Sequence, residues 1–366
     1  MVAVQLTINN QFLRIPMGLI LNSSADPRLI TLKHWLQSHA ATYNLDLASL
    51  QPASSDASFR RYFRLTGNGG TVIVMDAPLP HENCQPFVHV TQLLAQAHLN
   101  VPTILAQDLT QGFLLLSDLG PQTYYQQIQS GLDDTSLQKL YRDAIEALVL
   151  MQQAKTTGLP AYDEERLTQE LTLFPEWYAQ RHCQATLNDN DKATLRDTFS
   201  ALVQDNVKHG RVLVHRDFHS PNLMVCDRPE YGPNPGVIDY QDALAGPLTY
   251  DVASLVMDAR TTWEEPQQLD WAIRYWEAAR AAQLPVPQDF ADFHQAYEWM
   301  SLQRNLRILG VFARLSHRDQ KHHYLDHMPR VNAYVRQVAS RYGVFRPLLR
   351  LLDKLDNRQV TVGYTF

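Results

Sequence analysis

Cysteine is scarce in this sequence. Three cysteines occur among 366 residues, at positions 84, 183 and 226. Their odd number and wide spacing exclude a disulfide framework and the common cysteine patterns of structural zinc sites. We therefore expect reduced thiols and a cytoplasmic protein.

Long apolar runs and surplus basic charge are missing as well. No apolar stretch approaches the roughly 18 residues that a membrane-spanning helix needs, and residues 16–21 are too short for a secretion signal. The formal net charge is −6 with both signs interspersed, whereas nucleic-acid binding requires concentrated positive charge. We expect small-molecule partners, no membrane and no nucleic acid, and we favour a monomer. Met17 offers an alternative start site for translation.

The first third of the chain has the pattern of a small β-rich lobe. Residues 59–65 and 71–75 are rich in strand-forming side chains, and the Gly-Asn-Gly-Gly turn between them predicts a hairpin. Residues 31–50 and 87–99 predict helices. A further strand is expected to end near Ser117.

Beyond Gly120 the apolar residues recur mainly at helical spacing. The predicted helical segments are 140–151, 163–185, 191–208, 250–260, 267–283 and 288–316. Short apolar runs between residues 211 and 238 interrupt this pattern. We predict an α+β, two-lobed, protein-kinase-like fold, with the N-lobe at residues 1–118 and the C-lobe at residues 119–366.

The interrupting segment contains His215-x-Asp217-x-x-x-x-Asn222, and Asp239 follows the next apolar run. Transfer of a phosphoryl group from ATP needs a carboxylate facing the acceptor hydroxyl and hard oxygen ligands for Mg²⁺. Asp217, Asn222 and Asp239 supply that set, and His215 is expected to brace the loop. The alternative is that these residues only form turns, where such types are common.

Residues 215–222 and 237–242 resemble the aminoglycoside phosphotransferase and choline kinase superfamily, relatives of the protein kinases. Within it, the chain is most similar to bacterial anomeric sugar kinases acting on N-acetylmuramate and N-acetylglucosamine. The segments that carry this closer likeness are 55–64, 74–78, 236–251 and 303–315. The resemblance implies transfer of phosphate from ATP to the C1 hydroxyl, giving the α-1-phosphate during peptidoglycan sugar recycling.

The resemblance also implies roles for individual residues. Asp217 is the expected base, and Asn222 and Asp239 are the expected Mg²⁺ ligands. Residues 55–61 correspond to the loop over the phosphates. Three residues correspond to the hinge whose backbone binds adenine: Ser117, Asp118 and Leu119.

Two features depart from the kinase pattern. The loop that includes Ser55 and Ser58 lacks the usual glycines. Met75 stands where a phosphate-binding lysine or arginine is expected. Arg60 and Arg61 are the substitutes we consider, because guanidinium groups bind phosphate in a fork. They alternate faces along a strand, so only one should face the nucleotide.

Five further residues are candidates for the sugar site: His219, Gln241, Asp242, Glu176 and Arg304. Gln241 and Asp242 have paired polar groups suited to vicinal hydroxyls. Arg304 could meet the lactyl carboxylate of a muramic acid, although a solvated or salt-bridged helix face is the commoner role. His219 could instead stabilise the loop, and Glu176 could simply belong to an ordinary helix.

Two rival functions stay open. The chain could phosphorylate an aminoglycoside or another alcohol such as choline, whose cationic acceptors require an acidic or aromatic site. It could also be a nucleotide-binding scaffold without turnover, as Met75 suggests. The complete set of Asp217, Asn222 and Asp239 argues against the scaffold.

Overall fold

The computed structural model describes residues 26–54, 59–67, 69–79, 82–208 and 210–356. Within these ranges the chain forms two compact units. The sheet unit comprises the described residues of Met1–Glu82 and Leu105–Leu116. The helical unit comprises those of Asn83–Ile104 and Ser117–Phe366.

The sheet unit is one helix packed on a five-stranded sheet of order β1-β2-β3-β5-β4. Its elements are α1 (Pro27–Tyr43), β1 (Asp46–Ser54), β2 (Arg61–Gly67), β3 (Gly70–Asp76), β4 (Ile104–Asp108) and β5 (Phe113–Ser117). The predicted hairpin is present, since β2 and β3 are antiparallel and Gly67 pairs with Gly70 at the turn. Phe63 and Leu65 alternate along β2 on the buried face, against Leu32 and Leu36 of α1.

One sequence prediction fails in this unit. Residues 31–50 were expected to be helical throughout, but the helix ends at Tyr43 and residues 46–50 belong to β1. Asn44 adopts the left-handed conformation (φ 50°) that terminates helices. The strand then forms because it pairs with β2, and such long-range pairing overrides a weak local preference.

The helical unit contains most of the remaining chain. Its helices are α2 (Gln85–Gln96), α3 (Tyr124–Gln129), α4 (Asp134–Gln152), α5 (Glu164–Leu171), α6 (Asp189–Asn206), α7 (Thr249–Val256), α8 (Glu265–Ala281), α9 (Phe290–Asp319), α10 (Met328–Arg341) and α11 (Arg346–Leu355). A π-helix spans Phe174–His182. Two small antiparallel ladders join β6 (Arg211–Val214) to β9 (Leu244–Pro247) and β7 (Leu223–Met224) to β8 (Gly236–Val237).

Helix α9 is the central element of the helical unit. It is 30 residues long, begins at the Asp289 cap and packs against the π-helix, α6, α7 and α10. Gly310 lies directly against the backbone of Leu173, where a side chain would collide. This enclosure buries several polar residues of α9, among them Arg304.

The α+β, kinase-like fold class predicted from the sequence is confirmed. The predicted lobe division at residues 118 and 119 stays a prediction, and residues 83–104 with α2 cluster in the helical unit. Among the described residues, no helix combines the length and apolarity that a membrane span needs.

Candidate active site

A tight loop between β6 and β7 carries the predicted base. The backbone N–H groups of His215 and Arg216 donate hydrogen bonds to the Asp251 carboxylate, at 2.7 and 3.0 Å. Arg216 has φ 78°, an unfavourable value for a non-glycine residue, so the loop depends on this tether. Asp251 comes from the first turn of α7, and its burial raises its pKa to about 6.

His215 braces the same loop from behind. Its Nε2 lies 2.9 Å from the carbonyl oxygen of Ile238, and its Nδ1 accepts a bond from the backbone N–H of Asp217 at 3.3 Å. The pair of contacts requires the neutral tautomer with hydrogen on Nε2. His215 therefore fixes the start of the loop to the strand end that precedes Asp239.

Asp217, Asn222 and Asp239 are brought together as the sequence predicted. The Asn222 amide donates to the backbone carbonyl of Asp217 at 2.9 Å and to the Asp239 carboxylate at 3.3 Å. Asp239 follows β8 with φ 68° and is exposed. Because the side-chain nitrogen of Asn222 makes both of these bonds, its side-chain oxygen stays available as an acceptor next to the Asp239 carboxylate.

The electrostatics keep Asp217 ionised. Partial burial acts to raise its pKa, but the positive charges of His219 (when protonated), Arg307 and Arg304 lower it to about 2. His219 is neutral at pH 7, so the two arginines of α9 supply this effect under physiological conditions. The side chain is 45% exposed and is therefore open to an incoming hydroxyl.

An ion-pair cluster supports the loop from the α9 side. Glu170 accepts a hydrogen bond from Arg216 at 2.6 Å, pairs with Arg307 at 3.2 Å and also binds the Tyr162 hydroxyl. One carboxylate thus joins α5, the loop and α9. Glu170 was not predicted from the sequence, in which only Arg216, inside the His-x-Asp motif, pointed to this cluster.

His219 is buried beside Asp217. Its Nε2 lies 3.3 Å from Arg260 Nη1 and 3.9 Å from Asp217 Oδ1. Asp258 secures this part of the loop, accepting from the backbone N–H and the hydroxyl of Ser220 at 3.1 and 2.5 Å. Burial lowers the pKa of His219 to about 4, although Asp258 acts to raise it. Sequence analysis missed both Asp258 and Arg260.

The lowered pKa of His219 predicts an acid-sensitive fold. The unfolded chain takes up a proton on this histidine below about pH 6.5, whereas the folded chain resists until about pH 4. Stability should therefore decrease by about 2 kcal/mol between pH 7 and pH 5 from this group. Urea unfolding of the parent and a His219→Gln variant at both values measures it. An equal decrease in the free energy of unfolding of the two proteins would show that His219 is not the cause.

The remaining sugar-site candidates differ in placement. Gln241 donates to the Asp239 carboxylate at 3.0 Å, while Asp242 is exposed in the following turn. Glu176 is half exposed on the π-helix and lies 3.6 Å from Arg181. Among the described residues, no hydrogen bond or ion pair joins Glu176 to the three central residues. The structure therefore brings Gln241 to the centre, but not Glu176.

The predicted hinge residues form a compact turn at the end of β5. Ser117 exchanges two hydrogen bonds with Thr103, at 2.9 and 2.8 Å, and Asp118 accepts from the backbone N–H of Gly120 at 3.0 Å. Asp118 and Leu119 are buried. The segment has the fixed backbone that recognition of a flat base edge would need.

The two candidate arginines of the sheet unit have different partners. Arg61 pairs with Asp76 and Asp26, both at 2.5 Å, and Arg28 shares the fully buried Asp76. Arg60 pairs with Glu82 at 2.8 Å, and both side chains are largely buried. Arg61 thus stabilises the sheet unit through two carboxylates. Met75 is fully buried, and Ser55 and Ser58 lie outside the described residues.

Comparison with known proteins agrees with this geometry. Residues 49–299 match the model of the phosphotransferase enzyme family. A Pseudomonas aeruginosa protein named N-acetylmuramate/N-acetylglucosamine kinase is 47% identical, over 84% of this chain and 89% of its own length. Proteins of the same name from Pseudomonas putida and Neisseria meningitidis are 44% and 40% identical, covering 90% and 93% of this chain and 97% and 99% of theirs.

Solved structures share the fold. The ADP-bound aminoglycoside phosphotransferase APH(2'')-Ib aligns with a TM-score of 0.55 at 14% identity, over 83% of this chain and 98% of that one. Choline kinase LicA from Streptococcus pneumoniae aligns with a TM-score of 0.54 at 15% identity, over 85% and 99%. With its fold, the grouping of Asp217, Asn222 and Asp239 and these relatives in agreement, the chain belongs to the phosphotransferase enzyme family.

Proposed function

We propose that this phosphotransferase transfers the γ-phosphate of ATP, with Mg²⁺, to the C1 hydroxyl of N-acetylmuramate and N-acetylglucosamine. The observation that carries the proposal is the convergence of Asp217, Asn222 and Asp239 on one loop and one strand end. The three relatives named for these two sugars, each at least 40% identical, support the choice of acceptor.

The donor set at the strand end suits Mg²⁺. This cation prefers oxygen ligands, keeps several waters and is usually held by one or two protein groups together with substrate phosphates. Asp239 offers a carboxylate and Asn222 an amide oxygen. When bound, the ion would neutralise charge on the transferring phosphate. Among the described residues, no group of three His, Cys, Asp or Glu side chains forms a closed metal cage.

Asp217 is suited to orient the acceptor and accept its proton. Its ionised carboxylate is partly exposed and is held by a loop that three side chains fix in place: Asp251, His215 and Asn222. An anomeric hydroxyl is more acidic than an ordinary alcohol. A carboxylate is therefore an adequate base for this acceptor.

The charges around Asp217 disfavour the cationic rivals. Arg304 and Arg307 both act on this carboxylate, and Arg260 contacts the adjacent His219. These arginines would repel a cationic acceptor such as choline or an aminoglycoside. A neutral or anionic sugar meets no such repulsion.

A panel assay of ATP consumption tests the proposal. We expect turnover with N-acetylmuramate and N-acetylglucosamine, and none above background with choline or kanamycin. Phosphorus NMR of the product should show a phosphate on the anomeric carbon. Turnover with choline alone, or ATP binding without any turnover, would establish one of the rival functions instead.

We further propose that Arg60, held by Glu82, takes the place of the missing phosphate-binding lysine. Arg60→Gln should weaken ATP binding about tenfold or more, because a charge-assisted bond to phosphate is lost. Arg61→Gln should leave ATP affinity within about twofold and lower stability by about 1–2 kcal/mol. Isothermal titration with ATP and urea unfolding separate the two. If Arg61→Gln weakened ATP binding and Arg60→Gln did not, phosphate binding would be assigned to Arg61 instead.

The proposed substrates come from the cell wall. We propose that the enzyme works in the cytoplasm on sugars recovered from peptidoglycan, producing sugar α-1-phosphates. Growth on exogenous N-acetylmuramate in a strain that depends on this gene would test the role.

A further inference from the structure

Arg304 is a buried arginine without a hydrogen-bond partner on two of its nitrogens. Only 2% of its surface is exposed. Its Nε and Nη1 are enclosed, and no described residue accepts a hydrogen bond from either. Burying a guanidinium is costly unless an anion or hydrogen-bond acceptors compensate it.

Neighbouring arginines show what compensation looks like here. Arg307, one helical turn along α9, pairs with Glu170 at 3.2 Å, and Arg216 shares that carboxylate at 2.6 Å, although the Nε of each makes no hydrogen bond to a described residue. Arg260 contacts His219 at 3.3 Å and accompanies Asp258, whose pKa it lowers. Arg304 has no ion pair of this kind within the described ranges.

Arg304 lies one turn before Arg307 on α9, and Glu170, the partner of Arg307, also binds Arg216 next to Asp217. The positive charge of Arg304 acts on Asp217 and on His219, and also on Tyr334 of α10. Asp217 cannot serve as its permanent partner, because the base must face the acceptor hydroxyl during transfer. The arginine is therefore a fixed positive charge beside the position of the acceptor.

We infer that Arg304 binds an anionic substituent of the acceptor, namely the lactyl carboxylate of N-acetylmuramate. This inference rests on the proposed function and specifies how the site treats its two sugars. N-acetylmuramate carries this carboxylate on C3, two ring positions from the reacting C1, whereas N-acetylglucosamine has a hydroxyl there. Each unpartnered guanidinium N–H is a charge-assisted donor to a carboxylate oxygen. Arg304 is thus a determinant of specificity.

Arg304→Gln gives the direct test. We expect kcat/KM for N-acetylmuramate to decrease about a hundredfold, because a buried charge-assisted pair is lost. The kcat/KM for N-acetylglucosamine should change less than about threefold. Arg304→Lys should restore part of the loss. Arg318→Gln, an exposed arginine of the same helix paired with Asp319, is the matched control and should change neither value.

The methyl ester of N-acetylmuramate tests the idea without a variant. The parent enzyme should use the ester about a hundredfold less efficiently than the acid, and Arg304→Gln should use both equally. Equal losses on both sugars in Arg304→Gln would instead place Arg304 at the transferred phosphate or in the fold, and overturn the inference. Absence of turnover with either sugar in the parent would overturn the proposed function itself.

Discussion

Replacing Asp217 with asparagine is expected to lower kcat by about a thousandfold, while KM for the sugar changes less than about threefold. The substitution keeps the shape of the side chain and its place in the loop, since the backbone contacts to His215 and Asn222 are retained. It removes the negative charge that we propose takes the acceptor proton. Steady-state kinetics with saturating ATP and Mg²⁺ measures the effect.

The control for this experiment is Asp227→Asn. Asp227 is an exposed aspartate just beyond β7, ten positions after Asp217. Its variant should retain the parental kcat and melting temperature. If Asp217→Asn were as fast as the parent, the assignment of the base would be wrong, and with it the proposed role of the loop.

The second large effect is expected at Asp239. Asp239→Asn should lower kcat by at least about a hundredfold at millimolar Mg²⁺, and raise the Mg²⁺ concentration for half-maximal rate about tenfold or more. The reason is the loss of the carboxylate charge that we propose binds Mg²⁺ beside the Asn222 amide. Initial rates over a Mg²⁺ series, with Mn²⁺ as an alternative cation, provide the measurement.

The Mg²⁺ dependence distinguishes a ligand from a structural residue. Asp239 is exposed and its backbone conformation is left-handed, which asparagine tolerates well, so the variant should fold normally. Circular dichroism and the melting temperature should match the parent. A lower kcat with an unchanged Mg²⁺ requirement would show that Asp239 does not hold the cation.

Several elements were predictable because their determinants are local. The hairpin of β2 and β3 follows from alternating apolar residues and a glycine-rich turn. The grouping of Asp217, Asn222 and Asp239 follows from short apolar runs that place polar residues at strand ends.

Other features depend on residues distant in sequence. Strand β1 exists because β2 pairs with it, although its own residues favour no strand strongly. Glu170 is 46 positions from Arg216, and Asp258 is 38 positions from Ser220. Neither carboxylate belongs to a motif, so the sequence alone gave no reason to select them.

By itself the sequence determined the kinase-like fold class and the grouping of Asp217, Asn222 and Asp239, because short-range patterns and residue types encode them. Tertiary structure decided which charges are compensated. It assigned Arg61 to Asp76 and Asp26, Arg60 to Glu82, and Arg307 to Glu170, while two nitrogens of Arg304 remained without a partner among the described residues. The reason is physical: burial and distance set the energy of a charge, and both depend on how distant segments pack.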